Sequence, residues 1–159
     1  MITEAGNDPK VVGLVYVAAF APDNGESVGS LSKDYPPVPL GAELRPDSEG
    51  YLSISPKGFV EDFAQDLPTK EMKILWAAQG PTNAAAFGAT ITNAAWKTKP
   101  SWFVVAAEDR AIPPALEKAE AERMKATTVT VASSHLVMVS HPKEVADVIE
   151  KATLVAVKH

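Results

Sequence analysis

The chain has 159 residues, of which 46% are hydrophobic, 22% charged and 7% aromatic, as in an ordinary soluble globular protein with one core. Its net charge is −5, and its basic residues are dispersed without interleaved aromatic residues, so we expect no nucleic acid partner. It has no cysteine, which excludes disulfides, thiolate metal ligands and a cysteine nucleophile, and the composition fits a cytoplasmic protein.

No segment of the sequence has the length and composition of a membrane span. The longest apolar run, Val11–Ala21, is about half of the roughly 20 residues that a spanning helix needs. The first residues, Met1–Ala5, have neither the basic region nor the apolar stretch of a secretory signal. We therefore expect neither export nor contact with a membrane.

The first predicted element is the apolar run Val11–Phe20, which ends before Pro22 and Asp23. Its β-branched residues predict a strand, and the lack of alternation between polar and apolar residues predicts that both faces of this strand are covered. We therefore expect an interior strand of a parallel sheet.

Residues 22–99 differ in composition from the rest of the chain. Up to about Ser55 they are rich in proline, glycine, serine and aspartate, which predicts an irregular excursion. Ser55 and Pro56 then predict the start of one helix, Thr69 predicts the cap of a second, and a short alanine-rich helix is predicted from Asn83. The inward faces of the first two helices are predicted to consist of Phe59, Phe63 and Leu67, and of Met72, Leu75, Trp76 and Gln79.

From residue 100 onward, strands and helices alternate. Ser101–Ala107 is a second run of mostly apolar residues, and Thr127–Val131 alternates as a strand nearer the sheet edge does. A helix is predicted from Pro114 to Lys125 and another from Pro142, because proline is favourable at the first helical position. The order strand, helix, strand, helix is typical of an α/β fold with a parallel sheet.

Two residues of this region have the chemistry of a catalytic pair. Asp109 follows one predicted strand and His135 follows the next. Ligands of open α/β sheets bind outside the carboxyl ends of the strands, so both side chains are expected at one rim. A carboxylate there can orient an imidazole and stabilise its charged form. On spacing alone, a surface aspartate and an ordinary loop histidine remain the alternative, since acidic turns after strands are common.

The chain resembles the α/β-hydrolase superfamily in three segments, GLVYVAAFAPDNGES, KPSWFVVAAEDRAIPP and VASSHLVMVSHP. They are similar to the sixth, seventh and eighth strands of that fold with their connections, most of all in its esterase and hydroxynitrile-lyase-like branch. The resemblance implies a partial α/β-hydrolase fold, the C-terminal half, with about three parallel strands and flanking helices. Residues 1–21 and 100–159 would belong to this core, and residues 22–99 would form a helical cap, or lid.

The resemblance also implies roles for the two residues. The family's triad acid follows the seventh strand and its histidine follows the eighth, which gives these roles to Asp109 and His135. Glu108 is a rival acid and His141 a rival base, although His141 directly precedes Pro142 and suits a helix start. The terminal His159 is expected to be disordered. A triad of this kind implies hydrolysis of a carboxylic ester or related acyl bond.

The serine nucleophile is not found in its expected context. The family places it in a G-x-S-x-G elbow between a strand and a helix, which we expect upstream of residue 1. Ser27 lies in a matching string, Gly25–Gly29, but Pro22 to Asn24 separate it from the strand and the following residues do not favour a helix. We therefore expect the isolated chain to lack serine-hydrolase activity of normal magnitude, because triad residues act as a unit.

Aromatic residues of the insert are candidates for an apolar substrate pocket, although each of them also suits the core of the insert. These residues are Phe59, Phe63, Trp76, Phe87 and Trp96. The substrate would be a small ester or acyl compound. No metal or organic cofactor is expected, because the three histidines lack a supporting cluster of ligands.

The run Val11–Phe20 also predicts an association. As an interior strand with no neighbour on one side, it would expose a long apolar edge, which invites pairing with another chain. We expect self-association through this strand, or a partner chain that supplies the first half of the fold. The alternatives to a hydrolase half are a non-catalytic binding or interaction module and a truncated gene fragment without a function of its own.

Overall fold

A computed structural model of the chain describes residues 1–156. The strands are β1 (Leu14–Val17), β2 (Leu44–Pro46), β3 (Tyr51–Ile54), β4 (Thr82–Asn83), β5 (Ser101–Ala106) and β6 (Thr127–Val131). The α-helices are α1 (Ile2–Ala5), α2 (Val28–Leu31), α3 (Pro56–Gly58), α4 (Thr69–Ala77), α5 (Pro114–Arg123), α6 (Val137–Ser140) and α7 (Pro142–Ala156). Short 3₁₀ helices lie at Ser32–Asp34, Pro39–Glu43, Ala84–Phe87 and Ala95–Lys97.

Strands β1, β5 and β6 form a parallel sheet in the order β1-β5-β6. Leu14 lies opposite Ser101, and Trp102 lies opposite Thr127. Every residue of the central strand β5 is buried, as its apolar sequence predicts. The predicted α/β fold class, with three parallel strands and flanking helices, is confirmed.

Strand β1 is shorter than the predicted run Val11–Phe20. It ends at Val17 because Ala18 adopts a left-handed conformation with φ of 42°. This conformation is unusual for a residue with a Cβ and turns the chain out of the extended direction. The backbone N–H of Ala18 still donates to the carbonyl of Val104 at 3.0 Å, so the turn is anchored to β5.

The core lies on both faces of the parallel sheet. Alternate residues of β5 point to opposite faces, as the pleat of a strand requires. On one face Phe103 stacks on Tyr16 with ring centroids 5.7 Å apart, and α5 covers them. On the other face Trp102 and Val104 pack against Val145 of α7. The helices cover the two faces of the sheet, and residues 22–99 lie over the carboxyl ends of its strands.

The insert, residues 22–99, contains a second sheet that the sequence did not predict. Strands β2, β3 and β4 are antiparallel, with Leu44 opposite Ile54 and Tyr51 opposite Asn83. The β2–β3 turn is held by Asp47, whose Oδ1 accepts from the backbone N–H groups of Glu49 and Tyr51. The expectation of an irregular excursion up to Ser55 is therefore wrong for this part of the insert.

The helices of the insert start where the sequence indicated but differ in detail. Ser55 caps α3 by accepting from the backbone N–H of Gly58 at 3.0 Å, and the helix continues as a π-turn over Phe59–Phe63. Helix α4 begins at Thr69 itself, with Pro68 rather than Thr69 in the cap position. No helix within residues 1–156 is long and apolar enough to cross a bilayer.

Candidate active site

Asp109 and His135 meet at the carboxyl ends of β5 and β6. Asp109 lies three residues beyond the end of β5, where its Oδ1 accepts from the backbone N–H of Ala111 at 2.6 Å and of Ile112 at 2.9 Å. Its Oδ2 lies 2.6 Å from Nδ1 of His135, which follows β6. The structure therefore brings the two predicted residues into direct contact.

The surroundings of Asp109 favour its ionised form. Burial of the side chain raises the pKa, but the hydrogen bond and charge of His135 and the N–H groups of Ile112 and Ala111 outweigh burial and hold the pKa below its ordinary value. A carboxylate in this position accepts the proton of Nδ1 and fixes the imidazole in one orientation. Nε2 is then the nitrogen left to act on a ligand.

His135 lines a cavity of about 1080 Å³ between the parallel sheet and the insert. Its side chain is 20% exposed, and its ring lies 4.7 Å from the ring of Phe63, measured between centroids. The cavity wall also includes Ala18 after β1 and Ile112 after β5. The cavity therefore occupies the position at the strand ends where ligands of α/β sheets bind.

Three of the five predicted pocket residues line this cavity, and they are Phe59, Phe63 and Phe87. The two tryptophans do not. Trp76 packs beside the core of the insert and donates from Nε1 to the carbonyl of Ile54 at 2.9 Å. Trp96 is buried in the main core and donates to the carbonyl of Pro22 at 3.1 Å. The prediction for these two residues is corrected, because their rings pack with the apolar clusters and neither residue is part of the cavity wall.

A short stretch of the insert, residues 62–66, holds the loops that carry both members of the pair. Nε2 of Gln65 donates to the carbonyl of Glu108, just before Asp109, at 2.7 Å. Oδ2 of Asp66 accepts from the backbone N–H of Ser134, just before His135, at 3.0 Å.

The same stretch makes an ion pair with the loop that carries Asp109. Nε of Arg110, just after Asp109, lies 3.0 Å from Oδ1 of Asp62. Together with the bonds of Gln65 and Asp66, this pair connects the 62–66 stretch to the chain on both sides of Asp109 and directly before His135. These positioning contacts could not be inferred from the sequence, because they join residues more than 40 positions apart.

The rival residues lie apart from the pair. Glu108 has an exposed side chain, and no shared hydrogen bond joins it to His135 within residues 1–156. His141 pairs through Nδ1 with the hydroxyl of Ser140 at 2.9 Å and directly precedes α7, as a helix-start residue does. His159 lies outside the described residues, so the expectation of disorder stays a prediction.

Ser27 caps a helix. Its hydroxyl accepts from the backbone N–H of Ser30 at 3.2 Å, and the hydroxyl of Ser30 in turn accepts from the backbone N–H of Ser27 at 2.9 Å. This is a reciprocal capping box at the start of α2. The backbone of Ser27 is extended, with φ of −131°, and no strand leads directly into it. Its surroundings are those of a helix cap rather than of a nucleophile elbow.

Two buried carboxyl groups of α5 were not predicted. Glu117 and Glu120 of α5 are 0% and 2% exposed. Burial raises the pKa of Glu117 to about 9 and that of Glu120 to about 7. A clue in the sequence was available, because both glutamates fall on the stripe of α5 that also carries Leu116 and Ala121, which are buried.

Within the described part of the chain, no three histidine, aspartate or glutamate side chains converge as metal ligands would.

Comparison with known families gives a match over most of the chain. The model described as "Alpha/beta hydrolase family" matches residues 1–148. A search of the curated proteins found no match.

Several solved structures are similar in fold. Polyneuridine aldehyde esterase has a TM-score of 0.73 at 15% identity, over 95% of this chain and 65% of that one. A pyrethroid hydrolase from Sphingobium faniae JZ-2 has a TM-score of 0.72 at 19% identity, over 91% and 62%. The methylesterase MES16 from Arabidopsis has a TM-score of 0.66 at 16% identity, over 91% and 60%. At these identities the likeness is one of fold alone, and the chain spans less than two thirds of each protein's length.

Proposed function

Because the chain belongs to the alpha/beta hydrolase family, we propose that Asp109 and His135 are the acid and the general base of a Ser-His-Asp triad that hydrolyses carboxylic esters or related acyl bonds. The observation that carries this proposal is the 2.6 Å contact between Asp109 Oδ2 and His135 Nδ1 beside a large cavity. In such a triad Nε2 of His135 takes the proton of the serine as it attacks the acyl carbon and gives that proton to the leaving alcohol.

Within residues 1–156, the one serine in a G-x-S-x-G string lacks the strand–turn–helix context that the family requires of its nucleophile. Ser27 is the only serine in a G-x-S-x-G string, and it caps α2. We therefore propose that the triad is completed by polypeptide outside these 159 residues, added next to β1 at the edge of the parallel sheet.

The cytoplasm is the proposed compartment, which the lack of cysteine supports.

The lining of the cavity supports a substrate class. Phe59, Phe63 and Phe87 bring three aromatic rings to its wall, and the imidazole of His135 lies in the same wall. An ester or acyl compound with a substantial apolar part would bury that part against the rings. The structural neighbours include an esterase and a pyrethroid hydrolase, which supports this class.

The first test is made on the 159-residue chain alone, with a p-nitrophenyl ester and a serine-reactive phosphonate. We expect no hydrolysis above the small effect of a lone general base, about 10² to 10⁴-fold at best, and no covalent labelling. Stoichiometric labelling of Ser27 would contradict the proposal.

The second test asks what completes the site. If the nucleotide sequence upstream of the Met1 codon encodes a strand, a G-x-S-x-G elbow and a helix in frame, the longer product should hydrolyse the ester. In that product Asp109→Asn should lower kcat by about 10⁴-fold, because the imidazole loses its correct tautomer. If the longer product is active and neither Asp109→Asn nor His135→Ala lowers its kcat, the assignment of the pair is contradicted.

A second candidate function is a binding module that keeps the cavity without the chemistry. The observation in its favour is that the cavity wall and the pair both form within residues 1–156, whereas a nucleophile in its required context does not. Binding of an apolar ester without turnover, together with no elbow in the upstream coding sequence, would support this candidate over the first.

A further inference from the structure

Glu117 is a buried carboxylic acid directly behind the loop that carries Asp109. Its side chain is completely excluded from solvent. Its Oε2 accepts from the backbone N–H of Ala106, the last residue of β5, at 3.0 Å. The group therefore lies at the end of β5, where the Asp109 loop begins.

The second oxygen of Glu117 has an unusual environment. Oε1 is buried, and no described group donates a hydrogen bond to it. The side chain of Asp109 is a hydrogen-bonding neighbour of the Glu117 carboxyl, and its negative charge adds to the effect of burial in raising the pKa of Glu117. Two ionised carboxylates would each offer only acceptors, so the contact is repulsive unless one of them carries a proton.

The proton belongs on Glu117 rather than on Asp109. Asp109 receives three N–H groups, from Ala111, Ile112 and His135, and each of them favours the ionised form. Glu117 receives one, from Ala106. Glu120, on the same helix, adds a further buried carboxyl near Glu117 and does not favour a second negative charge there.

We propose that Glu117 is a positioning residue that donates a hydrogen bond from its protonated carboxyl to Asp109, so that Glu117, Asp109 and His135 form one continuous chain of hydrogen bonds. This inference rests on the proposed function in assigning His135 a catalytic task, although the chain of hydrogen bonds stands without it. The added donor fixes the plane of the Asp109 carboxylate and withdraws part of the negative charge that His135 meets.

The protonation state is tested by infrared spectroscopy of the 159-residue chain at pH 8. We expect the carbonyl stretch of a protonated carboxylic acid, resolved from the amide bands. Glu117→Gln should remove this band, whereas the matched control Glu122→Gln, an exposed glutamate of the same helix, should leave it. Glu120→Gln identifies any part of the band that comes from Glu120. A spectrum without the band at pH 8, or a band that survives Glu117→Gln, overturns the proposal.

The hydrogen bond to Asp109 is tested by the proton resonance of the His135 Nδ1–H group. Glutamine keeps a donor toward Asp109 and an acceptor toward Ala106, so Glu117→Gln should leave this resonance in place. Glu117→Leu removes the donor, so Asp109 should accept more strongly from His135 and the resonance should move downfield. If this proton has the same chemical shift in the wild type, Glu117→Gln and Glu117→Leu, the proposal is contradicted. If Glu117→Leu does not fold, the infrared result decides.

Neither measurement depends on turnover. A failure of the proposed hydrolase function would appear only in the ester assay of the completed protein, so the two outcomes are distinguishable.

Discussion

Asp109 and Glu117 are buried carboxyl groups in contact, and their surroundings hold them in opposite protonation states. The pKa of Asp109 lies below its ordinary value, whereas that of Glu117 is raised to about 9. Burial opposes ionisation in both residues, so the difference comes from the hydrogen bonds and charges around them: His135 and two backbone N–H groups favour the charge on Asp109, whereas Asp109 and Glu120 disfavour a charge on Glu117. Neighbouring groups with pKa values driven apart are a common property of catalytic sites.

A pH dependence of stability follows from Glu117. The unfolded chain releases this proton near the ordinary pKa of 4.5, whereas the folded chain keeps it to about pH 9. The folded state therefore binds more protons between these values, and its stability falls as the pH rises through this window. The contribution of Glu117 to the slope should approach about 1.4 kcal/mol per pH unit.

This contribution is isolated by comparing the wild type with Glu117→Gln in urea unfolding at several pH values from 5 to 9. The free energy of unfolding of the variant should rise steadily relative to that of the wild type. Glu120 has a raised pKa of about 7 and remains in both proteins, so its contribution cancels in the difference. A difference that stays constant with pH would show that Glu117 is ionised in the folded state.

The helix-capping role of Ser27 predicts a change in stability without a change in chemistry. Ser27→Ala removes the acceptor for the backbone N–H of Ser30 and should lower the free energy of unfolding by about 1 kcal/mol. Ser32→Ala, at an exposed serine one turn further along, is the matched control and should have a smaller effect. Unfolding in urea gives both values. A completed hydrolase should keep its kcat in the Ser27→Ala variant, and loss of activity there would reinstate Ser27 as a nucleophile.

At the scale of single residues, the sequence predicted where functional side chains lie in the fold better than it predicted which groups surround them. Asp109 and His135 could be placed because each directly follows a strand of recognisable composition. The environment of Glu117 could not be predicted: the residue falls on the buried stripe of α5, but the sequence does not show which groups face its carboxyl. Its protonation depends on Asp109 and on Ala106 of β5, and such contacts arise only once the chain has folded.

At the scale of elements, the strands and helices of the second half were predictable because their stabilising pattern is local. Pro114 begins α5 and Thr127–Val131 forms β6 as the sequence indicated. The second sheet was missed because its strands have only two to four residues, too few for an alternating pattern. Its pairing also joins Leu52 to Thr82, thirty positions apart, which no local preference encodes.

The 62–66 stretch predicts an effect at the His135 loop. Asp66→Ala leaves the backbone N–H of Ser134 without its acceptor, and Ser134 is fully buried, so the free energy of unfolding should fall by about 1 kcal/mol. Amide exchange at Ser134 and His135 should accelerate more than exchange in β5. Glu61→Ala, at an exposed acidic residue of the preceding π-turn Phe59–Phe63, is the control. Equal exchange in the two variants would argue against a positioning role for Asp66.

At the scale of the whole molecule, the edge of β1 is the feature that bears on assembly. β1 pairs with β5 on one side, and no strand pairs with its other side within residues 1–156. Leu14 and Ala18 donate toward the β5 side, so the N–H groups of Val15 and Val17 point to the open edge. Such an edge favours addition of a further strand.

We propose that the 159-residue chain associates through this edge, with a second copy or with a chain that completes the sheet. Light scattering should show a mass that rises with protein concentration. Val15→Pro removes an N–H group from the open edge without removing a bond to β5, so it should lower the association. Val15→Thr keeps the N–H group and serves as the control. A monodisperse monomer at every concentration would contradict the proposal.

The 62–66 stretch has a consequence for motion. The residues that hold the loops of Asp109 and His135 also carry Phe63 into the cavity wall. An outward displacement of this stretch therefore opens the cavity and releases the pair in the same step. A ligand would then enter or leave in the conformation with the stretch displaced, and the pair would have its reactive geometry in the conformation with the stretch in place. In a completed enzyme, the rate of exchange between these two conformations would set an upper limit on the rate of turnover.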